Sequence, residues 1–157
     1  MFAINIGNAY LNAPCREKIW TKAGPEFGSQ QGCVMLILIT LYWLKSSCAS
    51  WREMLTETLR KDVLGYTSTG IDKDVWIKRE VLKYRKEYYY MLLVYVDDIL
   101  CIHKYMPVVI DDMPSICVMK QGSMVLSERY LGANIDKVQT QDGKFMWANH
   151  SGYYFKP

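Results

Sequence analysis

Apolar residues along this chain fall into runs of distinct period, and the runs predict distinct elements. Phe2 to Ile6 reads as a short strand, closed by a Gly7-Asn8 turn, after which Ala9-Tyr10-Leu11 enters a helix or loop. Loop composition then dominates through Gly24-Pro25 and Gly28-Ser29-Gln30. Cys33 to Leu44 is apolar except for Thr40 and reads as a buried core segment, because crossing a bilayer takes about 20 apolar residues. From Ser46-Ser47 the spacing of Trp51, Met54, Leu55 and Leu59 is helical. The two serines suit an N-cap, Arg60 and Lys61 a C-terminal turn, and Gly65 lies beyond the stop.

Downstream, Val75-Trp76-Ile77, Tyr88 to Val96 and Ile99 to Ile102 are rich in aromatic and β-branched residues, which favour strands. Asp97-Asp98 falls where one apolar strand must reverse into the next. Met106 to Met119 has helical length but is interrupted by Pro107, which can open a helix, and Pro114, which would break or kink one. A last hairpin is predicted from Arg129 to Val138, a turn at Asp142-Gly143, and Phe145 to Ala148. Strands and helices alternate without clear βαβ crossovers. The fold class expected is therefore α+β, helices packed on one face of an antiparallel sheet.

Composition narrows this only a little. The 157 residues carry no internal repeat or linker-like tract, and their 50% hydrophobic content suffices for one core. A net charge of +3 permits nucleic-acid binding without arguing for it. The five cysteines are odd in number, form no Cys-x-x-Cys pair and sit mostly in apolar stretches, the usage of a reduced intracellular compartment. The N-terminus lacks a basic region followed by an apolar run. The expectation is a cytoplasmic or nuclear protein, neither secreted nor bound to membrane.

The candidate chemistry lies at Asp97-Asp98. Two adjacent carboxylates at a tight reversal repel one another unless a cation sits beside them. Mg²⁺ takes one or two carboxylates plus substrate phosphate oxygens, as nucleotidyl transfer requires. Two such ions can stabilise the attacking and leaving oxygens of an in-line displacement. Aspartates also occur at ordinary hairpin tips for their local hydrogen bonding, so the pair alone does not decide.

The company the pair keeps is more specific. Asn8-Ala9-Tyr10-Leu11-Asn12, Leu41-Tyr42-Trp43-Leu44-Lys45-Ser46, Trp51, Asp72-Lys73-Asp74-Val75-Trp76, Tyr95-Val96-Asp97-Asp98 and Tyr130-Leu131-Gly132 follow one another in this order. Together they resemble the reverse transcriptases of copia-type long-terminal-repeat retrotransposons. The resemblance covers most of the chain. It implies an incomplete polymerase palm over residues 1–157, starting at the first catalytic strand and without the preceding fingers region. It further implies an RNA-directed DNA polymerase with catalytic Asp97 and Asp98, and two Mg²⁺ ions held by Asp97, Asp98 and the position of Asn5. Tyr10 would bind the nucleotide, its ring filling the space of a ribose 2′-hydroxyl; a core tyrosine is the alternative. The implied partners are an RNA or DNA template-primer, deoxynucleoside triphosphates and the remainder of a Pol polyprotein.

Departures from the family pattern matter as much. Asn5 stands five residues before Tyr10, where the family has its first metal-binding aspartate. Losing about 4 kcal/mol of metal and transition-state stabilisation there would slow the reaction roughly a thousandfold. Trp43 replaces the glycine of the Leu-Tyr-Gly-Leu-Lys signature, at a point where the backbone needs room or a positive φ. Ile39 stands where a basic residue is common, and Lys45 is retained, either at phosphate or as a solvated surface charge. Lys78, Arg79, Lys83, Arg85 and Lys86 lie among Tyr84 and Tyr88 to Tyr90, a pattern suited to stacking on nucleic acid and equally to a charged hairpin turn. The competing readings are a non-catalytic, decayed element remnant that binds nucleic acid weakly, and a membrane association through Cys33 to Leu44.

Overall fold

The computed structural model describes residues 1–60, 62–81, 87–102, 120, 125–126 and 129–150. In chain order the strands are β1 (Phe2–Asn5), β2 (Trp20–Lys22), β3 (Val34–Leu36), β4 (Thr67–Ser68), β5 (Val75–Val81) and β6 (Glu87–Tyr95). They continue as β7 (Asp98–Ile102), β8 (Val125–Leu126), β9 (Arg129–Tyr130), β10 (Ala133–Gln139) and β11 (Phe145–His150). The one α-helix among the described residues is α1 (Ser47–Leu59); Ala9–Asn12 and Pro25–Gln30 form 3-10 turns. All strand ladders are antiparallel, an α+β arrangement.

Six strands form the main sheet in the order β4-β5-β6-β7-β1-β8. β1 does not pair with its sequence neighbours. It inserts beside β7, with Phe2 opposite Cys101, Ile4 opposite Ile99 and Asn5 opposite Asp98. Period-two alternation sends Ile4, Tyr90, Leu92, Ile99, Cys101 and Trp76 to one face, where Trp51, Leu55 and Leu59 of α1 meet them in a single core. The helical spacing of those three side chains is thus a burial stripe. Each such buried side chain contributes about 1.5–3 kcal/mol.

The other face is covered differently from the expectation of helices on one side only. Leu93, Leu100 and Ile102 look toward Tyr130, Ile135 and Trp147, which belong to a second sheet of order β11-β10-β9. The stretch Arg129 to Val138, expected as one strand, is broken by Leu131 (φ 48°) and Gly132 (φ 82°) between the paired residues Tyr130 and Ala133. Two consecutive positive φ values make a type I′ turn, which matches the twist of the flanking strands. The turn expected at Asp142-Gly143 does connect β10 to β11, with Gly143 at φ 78°.

Two further expectations are corrected. Cys33 to Leu44 is not a buried core segment: Val34, Leu38, Ile39, Leu41, Tyr42 and Trp43 are exposed. Within it β3 pairs only with the fully exposed β2, so no second layer of described residues covers it. Thr40, its one polar residue, is the buried member, and its hydroxyl donates to the carbonyl of Tyr10. Nor do the serines cap α1. Ser46 at the N-cap makes no capping bond, and the Ser47 hydroxyl donates instead to the carbonyl of Leu41 at 2.6 Å. That bond fastens the helix start to the preceding loop. The Met106 to Met119 prediction lies outside the described residues.

Candidate functional site

The β6–β7 hairpin closes with the smallest possible loop. Tyr95 pairs with Asp98, leaving Val96 and Asp97 as the two turn residues. Val96 has φ 53°, a conformation that β-branched residues rarely adopt and that costs about 1–2 kcal/mol. Three contacts hold it there. The Trp51 indole N–H donates to the Val96 carbonyl at 2.7 Å, the Val96 side chain packs on the core, and the backbone N–H of Ile6 donates to the Asp97 carbonyl at 2.8 Å.

This geometry brings the sequence-predicted residues together. Asn5, at the end of β1, lies directly across from Asp98, and its side-chain N–H donates to an Asp98 carboxylate oxygen at 2.6 Å. Asn5, Asp97 and Asp98 are all half-buried at one end of the sheet. Tyr10, in the 3-10 turn that follows β1, is half-buried and packs edge-on to Tyr42 with ring centroids 5.0 Å apart. Its phenol is held above the usual tyrosine value by burial first, then by Cys48 and the Asp97 charge, which puts it within electrostatic reach of the turn.

Neighbouring elements frame the turn. Cys48, Trp51, Arg52 and Leu55 of α1 enclose a cleft with Asp74, Val94, Tyr95 and Val96. Arg52 closes its rim by donating to Asp74 at 2.6 Å, both side chains being about half exposed. Behind the sheet, the Tyr130 hydroxyl donates to the Leu93 carbonyl at 3.2 Å, and burial, aided by the Asp98 charge, pushes its phenol up to about 12. The Tyr130-Leu131-Gly132 element therefore backs the hairpin from the face opposite α1. Of the basic cluster, Arg79 is paired with Glu87 across β5 and β6, and Lys78 lies over the Tyr66 ring at 5.5 Å. Those two cations serve the sheet; residues 82–86 lie outside the description.

Whether this donor set suits the implied metal follows from its chemistry. Mg²⁺ binds hard oxygen ligands and draws its affinity from carboxylate charge. Asp97 and Asp98 supply two charges, Asn5 supplies none, and one Asp98 oxygen already accepts the Asn5 amide. Among the described residues no three His, Cys, Asp or Glu side chains converge. The set falls short of holding a pair of divalent ions.

Trp51, Arg52 and Thr40 are the residues whose structural parts the sequence did not disclose. Trp51 stood out only by its spacing, and nothing in a linear reading pairs it with Val96. Compared with protein-family models, curated proteins and solved structures, the chain matches none. No helix among the described residues is long and apolar enough to cross a membrane, and the four described cysteines are free thiols.

Proposed function

We propose that the chain is the palm of a copia-type reverse transcriptase, descended from a two-Mg²⁺ nucleotidyl-transfer centre and catalytically weakened by Asn5. One observation carries the reading. Residues 5, 97 and 98 are far apart in sequence, yet the ladder between β1 and β7 sets Asn5 opposite Asp98 beside the turn. A hairpin-tip pair of aspartates with only a local role needs no third partner from the N-terminal strand.

In this reading Asp97 and Asp98 are the metal-binding carboxylates. Tyr10 faces the sugar of the incoming deoxynucleotide and excludes a 2′-hydroxyl by its bulk. Template-primer and deoxynucleoside triphosphates are the substrates. The chain as it stands incorporates nucleotide poorly, because catalysis of this kind depends on charge placed where the transition state develops it.

Primer extension on poly(rA) with an oligo(dT) primer, dTTP and Mg²⁺ tests this. The expected result is near-background incorporation by the chain and an increase of roughly a thousandfold in the Asn5→Asp variant. Incorporation by neither would remove the catalytic reading. A second reading, a non-enzymatic remnant, is favoured by the hydrogen bond that occupies Asp98. A salt-dependent mobility shift with single-stranded RNA, without incorporation by either form, would support it.

A further inference from the structure

We infer that Asn5 replaces a cation at Asp98, so that the carboxylate turn is assembled and stable without metal. A cation between the end of β1 and these aspartates would do two things: it would offset their repulsion, and it would tie β1 to β7. The Asn5 side chain does both with an uncharged group. Its N–H donates to the Asp98 carboxylate at 2.6 Å, a charge-assisted bond of the stronger kind, and it does so across the β1–β7 ladder.

The geometry around Asn5 fixes it for this part. Its backbone carbonyl accepts the backbone N–H of Lys120 at 3.1 Å, and the backbone N–H of the next residue, Ile6, donates to the Asp97 carbonyl at 2.8 Å. Ile4 and Ile6 on either side are fully buried. The Asn5 backbone therefore cannot drift, and its side chain is delivered to Asp98 by strand register. An aspartate placed here would bring a third carboxylate against the first two and remove the N–H donor that Asp98 now has. The amide and a bound cation are alternative solutions to one electrostatic problem, and this chain carries the first.

The test is thermal unfolding of the full chain and two variants in EDTA and in Mg²⁺. The unaltered chain should melt at the same temperature in both. Asn5→Asp should melt lower in EDTA by about 5 °C or more, recovering in Mg²⁺. The swapped pair N5D/D98N, which reverses donor and acceptor, should recover in EDTA without any cation. The inference is overturned if the unaltered chain gains as much from Mg²⁺ as Asn5→Asp does, if Asn5→Asp loses nothing in EDTA, or if the swap fails to restore it. Mn²⁺ binding followed by electron paramagnetic resonance separates this from the polymerase reading on which the comparison with a metal centre rests. Mn²⁺ uptake by Asn5→Asp without primer extension would sink that reading while leaving the Asn5–Asp98 clasp in place, whereas absence of uptake would overturn the replacement of a cation by Asn5.

Discussion

The indole N–H of Trp51 and the carbonyl of Val96 are joined at 2.7 Å, the bond through which the chain's one described α-helix holds its strained hairpin turn. Trp51 is 2% exposed, so the bond is sheltered from competing water. Trp51→Phe keeps most of the buried area and leaves the Val96 carbonyl without its donor, and should cost about 1–3 kcal/mol. Trp51→Ala adds a cavity and should cost about 3–5 kcal/mol. Urea denaturation of the two variants checks the order and the gap between them.

At Val96 itself the usual ranking of glycine and alanine should invert. Both Val96→Ala and Val96→Gly lose the side chain that packs on the core, but only glycine accepts φ 53° without strain. The glycine variant should be the more stable of the two by about 1 kcal/mol, read as a higher urea midpoint at equal slope.

Trp43 offers the same test without the packing term. It is fully exposed, adopts φ 76°, and occupies the position where glycine is expected from the resembled signature. Trp43→Gly should stabilise the chain by about 1 kcal/mol, the strain of a left-handed residue less the added freedom of the unfolded chain. It also removes a large exposed indole, so light scattering at high protein concentration should fall.

Alkaline pH should destabilise the chain through one buried acid, Cys101, and one half-buried acid, Tyr130. Burial pushes the Cys101 thiol from 9.0 up to about 12, and Tyr130 from 10.0 up to about 12. In each case the folded state keeps a proton that the unfolded state has lost. Stability is therefore full below about pH 9 and falls as pH rises toward 12; each pH unit separating folded and unfolded values is worth about 1.4 kcal/mol for a fully buried group. Urea midpoints measured from neutral pH upward should decline from about pH 9, and Cys101→Ala should flatten the first part of the decline.

Legibility in the sequence followed the range of the interaction. β5, β6, β7 and α1 were visible because their side chains obey period two or period 3.6 over several residues, and local period is what a linear reading detects. Cys33 to Leu44 was misread because apolar content predicts burial only where another layer arrives to cover it, and none of the described elements does. The break at Leu131-Gly132 was missed because a leucine gives no warning of a positive φ. Asn5, Asp97 and Asp98 were singled out individually, whereas the hydrogen bond between Asn5 and Asp98 depends on a strand register that no local pattern encodes. Trp43 is the converse case: of the two expectations there, room or a positive φ, the backbone shows the positive φ.

The placement of β1 between β7 and β8 sets the order in which this chain can mature. Its partner strand lies far downstream, with Asn5 and Asp98 separated by 93 residues. At typical synthesis speeds of 5–20 residues per second, β1 leaves the ribosome roughly 5–20 s before β7 exists. During that interval an apolar strand waits unpaired, and closing the long loop afterwards costs about 0.6 kcal/mol for every doubling of its length. The β6–β7 hairpin, with its two-residue loop, can form within microseconds once made. Pairing of β1 therefore runs against the direction of translation, the later-made β6–β7 hairpin serving as the template onto which the earlier-made strand is recruited.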